Sequence, residues 1–268
     1  TSTNDLVKQA IAEGAPEGVV VVARVQSKGY GRRGKAWSSG RGGLYMSVLL
    51  RPQRASEELG TLSLVAGIAV QRAVASFLPA DEGDIVKIKW PNDVVVMRAG
   101  DDRSQFQKIC GISLEQKEGA LCIGIGVNVR REEGASDAAP QAPLAEGGGV
   151  SSASSADLVG GRSKNRPVYL EDLAVGDTPS LDVVRDAVLV ALADAYGLWC
   201  REGFGALREE FMHHFALEGF KVRIDDTGDD HPVHCEVRDI DERGHLVVLP
   251  EKMNSVRKIA AGTITIDA

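Results

Sequence analysis

Paired cysteines are missing from this chain. Cys110, Cys122, Cys200 and Cys235 lie far apart with no CxxC spacing, which points to reduced thiols in an intracellular protein and away from a disulfide framework. No apolar run approaches the ~20 residues a bilayer span needs, and no secretory signal opens the sequence. A soluble, cytoplasmic protein without a membrane partner is therefore expected, although the first residue is Thr1 and any targeting segment upstream lies beyond this reading. Positive charge is also in deficit: 31 Lys and Arg against 38 Asp and Glu give a net charge of −7, which argues against a general nucleic-acid binder. Internal repeats are absent. Large apolar groups are nearly absent from 131 to about 165, a stretch of Ala, Gly, Ser and Pro that reads as a flexible insertion because it buries too little surface to offset its ordering. At 268 residues the length implies a large unit, 1–216, and a small one, 217–268.

What the chain does have is concentrated in 26–50, QSKGYGRRGKAWSSGRGGLYMSVLL. Gly29, Gly31, Gly34, Gly40, Gly42 and Gly43 free the backbone to turn N–H groups toward a ligand, and Lys28, Arg32, Arg33, Lys35 and Arg41 add positive charge, the makings of a phosphate cradle. The competing reading is an exposed basic loop. Ser2 or Thr3 is placed to cap a helix with an apolar face of Leu6, Val7, Ala10 and Ile11 and a stop at Gly14. Residues 19–25 read as a buried strand delivering the chain to the loop, 44–50 as the next strand, and 56–77 as a long packing helix. A strand at 85–90 breaks at Pro91-Asn92 and resumes at 94–97, and 109–115 pairs with 121–127 across Lys117-Glu118-Gly119. Helices are expected at 181–200 and 204–215. Short strands follow at 221–224, 234–239, 246–249, 256–259 and 264–266 as a small barrel or sandwich. The fold class is α+β: a mixed, mostly antiparallel sheet with helices on one face, plus the small β unit.

Four blocks, Ser2-Thr3-Asn4, GYGRRGKAW (29–37) with Gly42-Gly43-Leu44-Tyr45, KWPND (89–93), and KICGISLE (108–115) closed by GIGVN (124–128), together resemble biotin protein ligases. The resemblance implies a catalytic domain like that of class II tRNA synthetases and a C-terminal barrel of the Src-homology-3 type. It also implies activation of biotin by ATP as biotinyl-AMP and its transfer to a lysine on the carrier domain of a biotin-dependent carboxylase. Family members that repress biotin genes carry an N-terminal helix-turn-helix, for which this chain has no residues, so a repressor role and a nucleic-acid partner are not expected. Pairing with a second copy is left open by the sequence.

By that resemblance Lys108 bridges the biotin carboxylate and the α-phosphate, where the bland alternative is a solvated strand-end lysine. Arg32, Arg33, Gly34 and the loop backbone stabilise accumulating charge. Trp37 stacks on adenine and Asn128 bonds its edge, against the alternative of a core Trp. Ser2, Thr3, Asn4 and Gln26 contact the ureido ring, with Gly29, Tyr30, Gly31, Gly111 and Ile112 around biotin. Asp93, with Asn92 beside it, orients or deprotonates the acceptor amine, unless the pair simply forms an Asx turn. Cys110 is read as packing. ATP implies Mg²⁺ held largely by phosphate and water, since no carboxylate cage is visible, and His231, His234 and Cys235 are set aside as a metal cluster. Tyr30 stands where the family pattern is commonly basic, with a neutral hydrogen bond or Lys28 as compensation. The loop is expected to order over the adenylate and shield it from water. Two rivals remain: a lipoate–protein ligase, which would be expected to lack KWPND, and a non-catalytic biotin sensor. Octanoyl transfer without ATP would leave the arginine-rich loop without a purpose.

Overall fold

The computed structural model describes residues 1–98, 106–132, 166–225, 227–228, 231–251 and 253–266. The expected insertion lies outside the described residues beyond Glu132 and before Arg166. Two sheets organise the chain. The first is seven-stranded and contains β1 (Val20–Ala23), β2 (Gly43–Leu50), β3 (Val86–Lys89), β4 (Asp93–Val96), β5 (Gln107–Lys117), β6 (Ala120–Asn128) and the short β7 (Arg166–Pro167). Its order is β1-β2-β6-β5-β4-β3, with β7 beside β5. All neighbours are antiparallel except the parallel β5–β7 pair. The hairpin expected between 109–115 and 121–127 forms, with Glu118 and Gly119 both at positive φ in a two-residue turn.

Residues 85–97 depart from expectation. The chain does not resume its direction after Pro91. It reverses, so that β3 and β4 pair with Lys89 opposite Asp93, across a cis Trp90-Pro91 bond. β1 is also an edge strand, with Val22 exposed, because only β2 pairs with it.

Strand alternation sorts the core into two faces. Leu44, Met46, Val48 and Leu50 of β2, with Leu121, Ile123, Ile125 and Val127 of β6, pack toward α2 (Leu62–Ala75) and α3 (Leu181–Glu202) in one large cluster. Leu49, Ala120 and Cys122 face the other way and pack with Val7 and Ile11 of α1 (Thr3–Ala12). Helices thus cover both faces, where one was expected, and Leu6 of the expected apolar face is exposed. The long helix expected at 56–77 begins as a 3-10 turn, Ser56–Thr61, before α2. That 20-residue stretch is apolar enough to span a bilayer by composition, against the expectation of no such run, and 67% of its 18-residue apolar window is buried in the protein. A core helix enclosed on all sides has this pattern.

After a 3-10 turn, Phe204–Leu207, and α4 (Arg208–His213), the second sheet comprises β8 (Lys221–Asp225), β9 (Val233–Ile240), β10 (Leu246–Pro250), β11 (Arg257–Ile259) and β12 (Thr263–Ile266), ordered β11-β10-β9-β8-β12 and antiparallel throughout. Each lies within a residue or two of its expected span. Among the described residues β11 and β12 do not pair, so the sheet is not a closed barrel. It is anchored to the larger body by Trp90 Nε1 donating to Gly244 O at 3.0 Å and by Arg208, which donates to Ile240 O and Asp239 Oδ1 at 2.6 Å each.

Candidate active site

The positions of β2, β5 and β6 that share the α1 face are small or polar toward one end of the sheet: Ser47, Gly111, Ser113, Gly124 and Gly126. Alternation that would normally present large side chains instead hollows the sheet there. Into that hollow come the start of α1, the glycine loop and the turn between β3 and β4.

Ser2 caps α1, its hydroxyl accepting from Asn4 N while Asp5 accepts from Ser2 N, a capping box. The cap leaves the next side chains facing the hollow. Gln26 Oε1 accepts from Thr3 N (2.8 Å), Thr3 Oγ1 (3.1 Å) and Ser2 Oγ (3.2 Å), and Gln26 Nε2 donates to Ser39 Oγ (2.9 Å). Ser47 Oγ lies 2.7 Å from Thr3 Oγ1 and 2.6 Å from Asn4 Oδ1. Asn4 Nδ2 donates to Ser113 Oγ and Glu115 Oε1 at 3.0 and 2.9 Å. Both amide protons of Asn4 are thereby used, so Asn4 positions the cluster rather than offering a donor to a ligand. A Cβ on Gly124 would lie 2.2 Å from Asn4 Oδ1, so the arrangement requires glycine there.

The loop itself is a tight hairpin. Gly31 N donates to Lys35 O, Trp37 N to Gly29 O and Lys35 N to Arg32 O, with a bridge between Tyr30 and Ala36. Arg33 (φ 57°) and Gly34 (φ 69°) have the two successive positive φ angles of a type I′ turn. Three N–H groups of the expected phosphate cradle, those of Gly31, Lys35 and Trp37, are spent inside the hairpin on the loop's own carbonyls. Lys28, Arg33, Lys35 and Arg41 are exposed, and Arg32 is half-buried. Arg32 Nη1 donates to Asn92 Oδ1 at 3.1 Å. Burial, then the charge of Arg33, lowers the Arg32 pKa against the opposing pull of Asp93, and the guanidinium stays charged.

Asn92 joins the loop to the sheet, donating from Nδ2 to Ile112 O (2.8 Å) and accepting at its carbonyl from Ile112 N (2.9 Å); its side chain bonds across the sheet rather than forming an Asx turn. On β5 a bulge opposite Val94/Val95 takes Val94 to Cys110 but Val95 to Lys108, leaving Ile109 as the extra residue. The bulge turns Lys108 onto the face of Gly111, while Ile109, Cys110 and Ile112 enter the core. Ile112 is therefore not a side-chain wall for biotin; only its backbone borders the site. Burial pushes the Cys110 thiol pKa up, consistent with packing. Lys108 Nζ is 2.7 Å from Asp93 Oδ1, and Asn128 Nδ2 donates to Lys108 O at 3.1 Å.

Trp37 lies on the cross-strand pair Gly111 and Gly126: a Cβ on either would come within 2.8 or 2.7 Å of the indole. The ring is 5.0 Å from Lys108 Nζ, a cation–π contact, and its Nε1 is buried without a partner among the described residues. A cleft of about 260 Å³ lies between residues 30–34 of the loop and Ser113, Leu114 and Glu115.

Of the residues expected at the site, Ser2, Thr3, Asn4, Gln26, Gly29, Tyr30, Gly31, Arg32, Trp37, Asn92, Asp93, Lys108, Gly111 and Asn128 converge on this face. Arg33 instead points to the second sheet, donating to Thr263 Oγ1 at 2.9 Å. Ser39, Ser47 and Lys8 are not among the residues the sequence singles out, and Lys89 is read only as part of KWPND, with no role of its own. Ser39 and Ser47 complete the Gln26 cluster. Lys8 donates to Tyr30 Oη (2.7 Å) and Glu115 Oε2 (2.9 Å). Burial disfavours the Lys8 charge, yet the bonds to Tyr30 and Glu115 outweigh it and raise its pKa. The i, i+4 spacing of Asn4 and Lys8 was the available signal. Lys8, rather than Lys28, thus supplies a cation at the tip of Tyr30. Lys89 is buried, its pKa lowered by burial with Lys108 adding and Asp93 opposing, so three charged groups of two motifs meet there.

The capped start of α1, the Lys108–Asp93 pair and Arg32 on Asn92 thus bring cationic and polar side chains onto one hollowed face of the sheet. The sequence model of the biotin/lipoate A/B protein ligase family matches residues 1–130, just under half of the chain. The chain is 37% identical over 134 residues to the biotin–[acetyl-CoA-carboxylase] ligase of Mycobacterium tuberculosis, covering 48% of this chain and 46% of that protein. It is 33% identical over 138 residues to the bifunctional ligase/repressor BirA of Bacillus spizizenii, covering 49% of this chain and 39% of that protein. The match therefore spans less than half the length of these relatives. The fold is that of the Aquifex aeolicus biotin protein ligase solved with biotin and ATP, at a TM-score of 0.72, 23% identity, and coverage of 99% of this chain and 94% of that one.

Proposed function

We propose that this chain is an ATP-dependent biotin–protein ligase. The observation that carries the reading is Lys108, set by a bulge on the site face, 2.7 Å from Asp93 and beside the Arg32–Asn92 contact. In the first step a carboxylate oxygen of biotin attacks the α-phosphorus of ATP. The new O–P bond forms as the bond to the β-phosphate oxygen breaks, giving biotinyl-AMP and pyrophosphate. Two anions meet, so cations held in place by the fold supply most of the advantage. Lys108 and Arg32 fill that role, and Lys108 exchanges Asp93 for the ligand's anion. In the second step an acceptor lysine attacks the acyl carbon, AMP leaves, and Asp93, released from Lys108, takes or orients the amine proton.

The polar cluster of Ser2, Thr3, Gln26, Ser39 and Ser47 favours biotin over lipoate, because a ureido ring offers donors and an acceptor while a dithiolane ring offers neither. A site built to bond such groups rejects analogues lacking them. Asp93, the carboxylate at this centre, is paired with Lys108, so the described residues here present no dedicated magnesium set. Mg²⁺ enters as the counter-ion of ATP, and no step is assigned to it. The acceptor is the carrier domain of a biotin-dependent carboxylase. Incubation with ATP, labelled biotin and such a carrier domain tests the reading: label on the carrier lysine is expected, and labelling by lipoate but not biotin would refute it.

A further inference from the structure

Away from the active site, Asp84, His213 and His214 gather where the larger body hands the chain to the second sheet. Asp84 lies in the 3-10 turn Gly83–Ile85 ahead of β3, and the two histidines end α4. His213 Nε2 is 3.2 Å and His214 Nδ1 3.8 Å from Asp84 Oδ1; all three ligand atoms lie within 4.8 Å of one another, and the imidazoles are set nearly edge to face at 81°. Bonds of ~2.0–2.1 Å in a tetrahedral zinc site put neighbouring ligand atoms about 3.3 Å apart. Two of the separations here straddle that value, and His213 and Asp84, both about two-thirds exposed, are free to close the rest by side-chain rotation.

We propose that Asp84, His213 and His214 form a binding site for a divalent transition metal of the zinc type, with solvent at the fourth position. Imidazole with one carboxylate suits zinc, cobalt or nickel and not magnesium or calcium, which take oxygen ligands. Two neighbours compete with the ion. Lys87 Nζ lies 3.4 Å from Asp84 Oδ1 and donates to His213 O at 3.3 Å, and the buried Gln71 approaches His214 Nδ1 to 3.3 Å. The ion would replace the ammonium of Lys87 as the cation serving this carboxylate. Its place in the chain gives it an effect. His214 O accepts from Ile88 N, and Ala216 N donates to Ile88 O, so the segment entering the second sheet already runs along β3; a metal would pin it there through side chains as well.

Untagged protein, titrated with Zn²⁺ and separately with Co²⁺ in a phosphate-free buffer, tests the site. The wild type is expected to bind about one ion per chain with the visible spectrum of tetrahedral cobalt. Asp84→Asn and His213→Gln, both at exposed positions, should lose it, and Lys87→Met should bind more tightly. Absence of binding, binding unchanged in the Asp84 and His213 variants, or no tightening on removing Lys87 would each overturn the proposal. Zinc held by His231, His234 or the cysteines falls under the second of these outcomes.

Discussion

Lys108 and Asp93 hold each other at 2.7 Å, yet the proposed chemistry needs them apart, one on the phosphate and one on the incoming amine. Asp93→Asn keeps the size and leaves Lys108 free, so adenylate formation should survive while transfer to the carrier lysine falls about 100-fold or more, the usual worth of a positioned base; single-turnover transfer from preformed biotinyl-AMP checks this, and equal losses in both steps would remove the role. Lys8 is the second case. Its replacement by Met leaves Glu115 and Tyr30 without their cation, and the loss of a charge-assisted bond predicts a rise in the KM for biotin on the order of tenfold with kcat little changed, measured by steady-state kinetics. Lys108, Arg32 and Asp93 were legible as motif residues. Ile112 was not, because simple alternation puts it on the face of Lys108; the bulge at Ile109 breaks that parity, and bulges leave no mark in a pattern of residue types.

Among elements, the glycine loop changed most between sequence and structure. Its composition reads as a cradle of N–H groups, whereas Arg33-Gly34 closes a type I′ hairpin that consumes several of them and lays Trp37 across Gly111 and Gly126. Trp90 and Trp199 are buried with their indole N–H groups bonded to Gly244 O and Thr61 Oγ1, so Trp37 is the indole free to report on ligands. Addition of biotin and ATP should change tryptophan fluorescence, Trp37→Phe should abolish the change, and Gly126→Ala, whose methyl group meets Trp37 at 2.7 Å, should shift the starting signal and weaken binding. A wild-type response in Trp37→Phe would place the movement elsewhere. Strands and helices were otherwise readable from period and turn residues. Their partners were less so: 85–97 reads as one interrupted strand because nothing local distinguishes a pause from a reversal.

At the scale of the whole molecule, residues far apart in sequence assemble one face. α1 covers the side of the sheet opposite α2 and α3, an arrangement fixed by topology rather than by the amphipathicity of α1, which is why it was not foreseen. The second sheet was legible as five short strands, but its contact with the loop through Arg33 and Thr263 was not, since it joins two ends of the chain. That contact predicts that Thr263→Val exposes the hairpin: trypsin should cleave after Arg32, Arg33 or Lys35 several-fold faster, on the order expected when a local opening loses one hydrogen bond, with the melting temperature nearly unchanged. Unchanged cleavage would mean the second sheet does not restrain the loop.

The central claim is that Lys108, turned onto the site face by the bulge, carries the adenylation of biotin. Exchange of labelled pyrophosphate into ATP reads that step alone, without carrier protein. Exchange dependent on biotin in the wild type, and reduced by two or more orders of magnitude in a folded Lys108→Ala variant, as the loss of a preorganised charge predicts (~10²–10³-fold), is the result the account requires. Exchange driven by lipoate instead, or a Lys108→Ala variant that exchanges at the wild-type rate, would contradict it.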